Sequence, residues 1–120
     1  MDESTMHIGD IAERTGLSLR TLRHYDEIGL LRAAGRSDGG YRLYTESDLE
    51  RLLLIRRMKP LGFSLEEMAD LLRAADDVEV GGAAARERLD AFIRQAEERR
   101  ERLRIHLDMA DEFLNLLRSR

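Results

Sequence analysis

The sequence contains no cysteine and no tryptophan, and a single proline stands among its 120 residues. Without cysteine there is no disulfide and no thiolate-held zinc or iron–sulfur centre, and nothing marks an oxidising compartment. With one proline and nine glycines the chain has few breakers, so long helices are permitted. Apolar runs are short as well. None approaches the roughly 20 residues that cross a bilayer. The amino terminus carries Asp2 and Glu3 where a secretory signal would have a basic start and an apolar run. These absences predict a soluble, cytoplasmic protein with no membrane partner.

Charge, by contrast, is abundant. Charged residues make up 37% of the chain and apolar residues 42%, a balance that suits a helical protein with a small interior and much solvated surface. The length allows one compact domain plus one extended element. A formal net charge of −4 argues against a polyanionic partner, but the distribution of that charge points the other way. Between Arg14 and Arg42 stand six arginines against Asp26, Glu27 and Asp38, while residues 61–120 hold ten basic and fourteen acidic side chains. A nucleic acid meets the local patch rather than the net charge.

The segment Ile8–Thr15 reads as a short helix with Ile8, Ile11 and Ala12 on one face, ended by Gly16 at the position where left-handed residues stop helices. Ser18 then caps a second helix, LRTLRHYDEI, which stops at Gly29. Two short helices joined across Gly16-Leu17 form a helix-turn-helix pattern, although a generic helical hairpin has the same spacing. From Leu30 the chain becomes extended. Asp38-Gly39 predicts a two-residue hairpin turn with both residues at positive φ, and Gly40–Tyr44 alternates as a returning strand. A small hairpin directly after a helix-turn-helix is the layout of a wing.

Thr45, with Asp48 three residues on, caps a third helix whose buried stripe is Leu49, Leu52, Leu53, Ile55 and Met58, and which Pro60 and Gly62 end. Ser64-Leu65-Glu66-Glu67 is a capping box for a fourth helix with Leu65, Met68, Ala69, Leu71 and Leu72 on its apolar face. Asp76–Gly82 reads as an acidic, then flexible, linker. The rest, Ala83 to about Leu117, is one helix of roughly 50 Å at ~1.5 Å per residue. Leu89, Ala96, Leu103, Ala110 and Leu117 recur every seven residues along it, flanked by Phe92, Ile93, Leu107, Phe113 and Leu114, with Arg99, Arg100 and His106 interrupting the seam. A lone helix with such a stripe is unstable in water, and self-association is the simplest remedy.

These residues resemble the MerR family of bacterial transcription regulators, through IGDIAERTGLSLRTLRHYDEIGLL (Ile8–Leu31), RSDGGYRLY (Arg36–Tyr44) and LGFSLEEM (Leu61–Met68). Residues 83–120 resemble the family only as a dimerisation-type helix. The resemblance implies a mainly α chain: a winged helix-turn-helix DNA-binding domain over 1–75, a linker over 76–82, and a dimerisation helix over 83–120 that pairs as an antiparallel coiled coil. It implies that the second helix enters the major groove, that the wing lies on the flanking backbone, and that bound protein distorts promoter DNA by untwisting an overlong spacer. Partners would be double-stranded operator DNA, a second copy of the chain, and RNA polymerase. His7, Ala33 and Pro60 depart from the family's usual residues, and a member of this length would lack an appended effector domain.

On the second helix Arg20 and Arg23 share a face, with Thr21 and His24 beside them; the planar guanidinium fork matches guanine edges and phosphate oxygens. Tyr25 either presents its hydroxyl to phosphate or packs its ring in the core. Ser18 has two compatible roles, an ordinary cap and a phosphate ligand. By resemblance Arg36, Tyr41 and Arg42 clamp the DNA backbone from the wing, and Lys59 adds a phosphate contact. Tyr44 is either part of that clamp or a packing residue under the hairpin. The three histidines lack metal-ligand spacing, and no nucleophile–base pair or glycine-rich phosphate loop is present, so neither an active site nor a cofactor is expected. A rival reading makes the chain a protein-interaction or architectural module whose long helix docks another protein; Arg20, Arg23, Arg36 and Arg42 together speak against a vestigial head.

Overall fold

Gly16 and Ser18 set the first two helices. In the computed structural model, which describes residues 5–120, α1 (Ile8–Thr15) ends where Gly16 turns left-handed at φ 73° and its amide donates to the Ala12 carbonyl at 2.9 Å. Asp2 and Glu3, on which the reading of the amino terminus rests, lie outside the described residues. Thr15, fully buried, donates its hydroxyl to the Ile11 carbonyl at 2.7 Å and accepts from the Leu17 amide, which ties the turn to the end of α1. Ser18 Oγ accepts the Thr21 amide at 3.0 Å and opens α2 (Leu19–Glu27). Leu22 and Tyr25 of α2 face the core. The helical pattern puts Ile28 there too, but it is 46% exposed: it sits past the last helical residue, where helical face arithmetic no longer applies.

The wing is a three-stranded antiparallel sheet in the order β1-β3-β2, formed by β1 (Thr5–His7), β2 (Gly35–Arg36) and β3 (Arg42–Thr45). Thr5 pairs with Thr45 and His7 with Leu43 on one side of β3; Arg36 pairs with Arg42 on the other. The turn differs from the two-residue form predicted at Asp38-Gly39. The Ser37 amide donates to the Tyr41 carbonyl and the Gly40 amide to the Ser37 carbonyl, both at 2.8 Å, and Gly40, not Asp38 or Gly39, takes positive φ at 81°. This is the three-residue loop in which a left-handed glycine closes the turn.

Thr45 caps α3 (Glu46–Met58), with the reciprocal Thr45 amide to Asp48 carboxylate bond at 2.9 Å. Pro60 stands in a single 3-10 turn, Lys59–Leu61, and Gly62 at φ 84° ends it. Ser64 and Glu67 exchange hydrogen bonds at the start of α4 (Leu65–Val80). The core of the first compact unit, residues 1–72, gathers Ile11, Leu22, Tyr25, Leu31, Tyr44, Leu49, Leu52, Ile55, Met58, Phe63, Met68 and Leu72. Leu53 and Ala69 are half-buried and Leu65 is exposed, so the stripes expected on α3 and α4 are narrower than the sequence pattern implies.

The second unit, residues 73–120, corrects the expected linker. Asp76–Val80 is helical, as the last part of α4, and the break shrinks to Gly81-Gly82, whose φ values of 106° and 117° suit glycine alone. Arg88 reaches across that break to Asp77 at 2.6 Å, which gives the acidic segment a partner the local sequence does not reveal. α5 then runs unbroken from Ala83 to Arg118.

Candidate nucleic-acid interface

α2 places its cationic side chains on one side because its other side is committed to the core through Leu22 and Tyr25. Arg20, Arg23 and His24 are exposed, and Thr21 is half-buried. With Lys59 they line an open cleft of about 1100 Å³, whose remaining wall is Tyr25, Glu27, Phe63, Ser64, Leu65 and Met68. The structure thus brings Lys59, distant in sequence and preceding Pro60, to the same concavity as the α2 arginines. The apolar side of that cleft, with Leu65 42% exposed, is not foreshadowed by the sequence pattern.

Two residues of the sequence-derived set also have structural roles. Tyr25 is 4% exposed, so its ring belongs to the core, and burial pushes its phenol up. Ser18 donates its hydroxyl to Thr21 Oγ1 at 2.9 Å besides capping the helix, so Ser18 and Thr21 are held together at the start of α2.

In the wing, Tyr41 is 66% exposed and stands edge-on to the His7 ring at 6.2 Å. Arg36, also exposed, donates to the Gly40 carbonyl at 3.0 Å and braces the turn. Arg42 is different. Its Nε donates to Asp26 Oδ2 at 2.6 Å, with both side chains about four-fifths covered. Asp26 Oδ1 also accepts the Ala33 amide at 3.4 Å. Burial by itself would push the Asp26 carboxyl up; the hydrogen bonds from Arg42 and Ala33, with the charges of Arg42 and Arg36, outweigh it and hold the carboxyl below the ordinary value. In the sequence Asp26 counts only as a deduction from the basic patch. A partner 16 residues away leaves no periodic signal.

Tyr44 packs: it is 1% exposed, and its hydroxyl has no hydrogen-bond partner. Burial, then the nearby Asp26 carboxylate, pushes the phenol up. Among the described residues there is no group of three or more His, Cys, Asp or Glu able to hold a metal ion, and no helix is long and apolar enough to cross a membrane.

On α5, Leu89, Phe92 and Ala96 are half-buried within the second unit, whereas Ile93, Leu103, Leu107, Ala110, Phe113, Leu114 and Leu117 are exposed. Ile105, Met109 and Leu116, not singled out in the sequence, add to the exposed apolar surface of this helix.

A helix-turn-helix with a basic face, followed by a wing, defines a winged-helix DNA-binding protein. The chain matches the MerR HTH family regulatory protein description over residues 6–75, and that of the MerR DNA-binding region over residues 49–109. It belongs to the MerR family of DNA-binding transcription regulators, and its relatives are regulators rather than enzymes. An uncharacterized HTH-type transcriptional regulator of Pseudomonas aeruginosa is 41% identical over 98 residues, covering 82% of this chain and 74% of the relative. The HTH-type transcriptional regulator YfmP of Bacillus subtilis is 39% identical over 117 residues, covering 95% and 84%. Among solved structures, HiNmlR, described as a MerR family regulator lacking the sensor domain and bound to promoter DNA, is 32% identical at a TM-score of 0.63, covering 97% of this chain and 86% of that one.

Proposed function

We propose that this regulator acts in the cytoplasm as a homodimer on an inverted-repeat operator. Each head presents Arg20, Thr21, Arg23 and His24 to the major groove, with Ser18, Arg36, Tyr41, Arg42 and Lys59 at the flanking phosphates; Tyr25 contributes its hydroxyl at most. The helices pair antiparallel through Leu89, Phe92, Ile93, Ala96, Leu103, Leu107, Ala110, Phe113, Leu114 and Leu117. The protein carries out no catalytic step and needs no metal or cofactor. By analogy with its family it distorts the promoter so that RNA polymerase engages realigned elements.

One observation carries this reading: cationic side chains from α2 and from the turn at Lys59 converge on one open cleft of the head. Side chains aimed at a groove supply both the salt-dependent affinity and the base discrimination that an operator requires. The dimer follows from the apolar residues that α5 leaves exposed and from the short half-site one head can read.

Gel shift and footprinting of the full chain on the intergenic DNA upstream of its own gene test the proposal. A protected inverted repeat, with affinity that falls steeply with salt, is expected. Equal affinity for that DNA and for random duplex would contradict it, and a footprint wholly outside the promoter spacer would remove the distortion.

A further inference from the structure

An acidic side chain at a surface built to meet phosphate works against binding in simple Coulomb terms. Asp26 nevertheless sits at the end of α2 in contact with the wing, and its two oxygens are both used. Oδ2 takes Arg42 on the returning strand β3, and Oδ1 takes the Ala33 amide on the segment that leads into β2. One carboxylate therefore holds both legs of the hairpin to the end of the groove-reading helix.

The hairpin needs that hold. β2 is two residues long and pairs with β3 alone, so it is the weakly held edge of the three-stranded sheet, whereas β3 is also held by β1. Its register places Arg36 directly opposite Arg42, and like charges opposed across a ladder repel. Asp26 stands between them electrostatically, since both arginines help keep its carboxyl ionised. The pair is largely shielded from water, so salt screens it less than a surface pair. Arg42 commits its Nε to Asp26, and since a guanidinium offers five donors in a fixed fork, its terminal nitrogens are the donors that would meet a phosphate.

We propose that Asp26 is a positioning residue for DNA recognition: through Arg42 and Ala33 it fixes the wing against α2, so that wing and helix reach the backbone of one half-site at a single spacing. The inference rests on this chain's binding DNA, and it predicts the opposite sign to bare electrostatics. Asp26→Asn removes a negative charge from the interface, yet binding to the footprinted duplex should weaken about tenfold or more. The salt slope should flatten by about one as a wing phosphate contact is lost.

The test is a double-mutant cycle with Arg42→Gln, measured by fluorescence anisotropy at several salt concentrations and at a temperature where circular dichroism shows every variant folded. In the Arg42→Gln background there is little left for Asp26→Asn to break, so the change should leave binding unchanged or strengthen it. Hydrogen exchange at the amides of residues 35–42 should speed up in Asp26→Asn alone, with or without DNA-binding competence, which keeps the proposal testable if the variant is too weak to titrate. Unchanged or tighter binding by Asp26→Asn with an unchanged slope would overturn the proposal. So would an equal loss in both backgrounds, or wing amides that exchange at the parental rate. If the parent itself showed no preference for its footprinted duplex, the operator reading would fail while the exchange measurement still decided the role of Asp26.

Discussion

In the head, residues 1–72, the large apolar side chains of α1, α3 and the wing are closed in on one another: Ile11, Leu52 and Ile55 are at 0% exposure and Tyr44 at 1%. Along α5 the same residue types stand in water, with Leu107, Phe113 and Leu116 each about 60% exposed. The two regions do not differ in their supply of apolar residues but in what closes over them. The head has elements on several sides of its core, so it contains its own folding determinant. The outer part of α5 consists of one helix only, and one helix cannot bury a stripe against itself. Stability in the head is thus a property of one chain; in the proposed dimer that of α5 would be a property of two.

This contrast predicts that a charge placed on the seam of α5 does large damage without touching the head. Leu103→Glu costs little in an isolated chain, where the site is already 47% exposed. Buried in a dimer without a partner charge it should cost several kcal/mol, more than a marginal assembly withstands. The variant should sediment as a monomer and lose operator binding, while the head unfolds at the parental urea midpoint. A dimeric Leu103→Glu protein would break the distinction between the two regions.

A smaller effect is expected on the proposed reading face of α2. Arg23→Ala should cost about 1–3 kcal/mol on the specific site and narrow the gap to random DNA, with dimerisation unchanged by sedimentation. Equal losses on specific and random duplex would reassign Arg23 to the backbone.

Within the head, Asp26 makes stability depend on pH. Its folded value lies below the ordinary carboxylate value, so its contribution is present in full above that ordinary value. The contribution fades as pH falls through the depressed folded value. Urea midpoints followed down through the acid range should therefore drop more in the parent than in Asp26→Asn; parallel profiles would remove the linkage.

The smallest expected change is a gain. The Tyr44 hydroxyl is buried without a partner, so Tyr44→Phe should raise stability by up to about 1–2 kcal/mol in urea denaturation, through relief of desolvation. A loss of that size would mean that the hydroxyl has a bond after all.

Local signals carry most of the fold. Gly16, Ser18, Thr45, Gly62 and Ser64 each act within a few residues, and each stands where the sequence places a helix end. What escapes a reading of the sequence depends on contacts made at a distance. β1 has three residues and no pattern of its own; it exists through pairing with β3, some 40 positions on. Three glycine or aspartate candidates, Asp38-Gly39-Gly40, compete for the wing turn, and only the closing hydrogen bonds show that Gly40 is the left-handed one. Asp77 has the look of a linker residue until Arg88 comes back beside it. The candidate site divides in the same way. The arginines of α2 share a face by helical spacing alone, while the joining of Lys59 to them and the capture of Arg42 by Asp26 follow from packing between elements.

If two heads read one operator because α5 finds its partner in a second copy, the number of chains in solution and on DNA must agree. Sedimentation equilibrium of the full chain, alone and with the footprinted duplex, measures both directly. We predict two chains in the free protein and two chains per duplex. One chain per duplex at full affinity would contradict the dimeric reading.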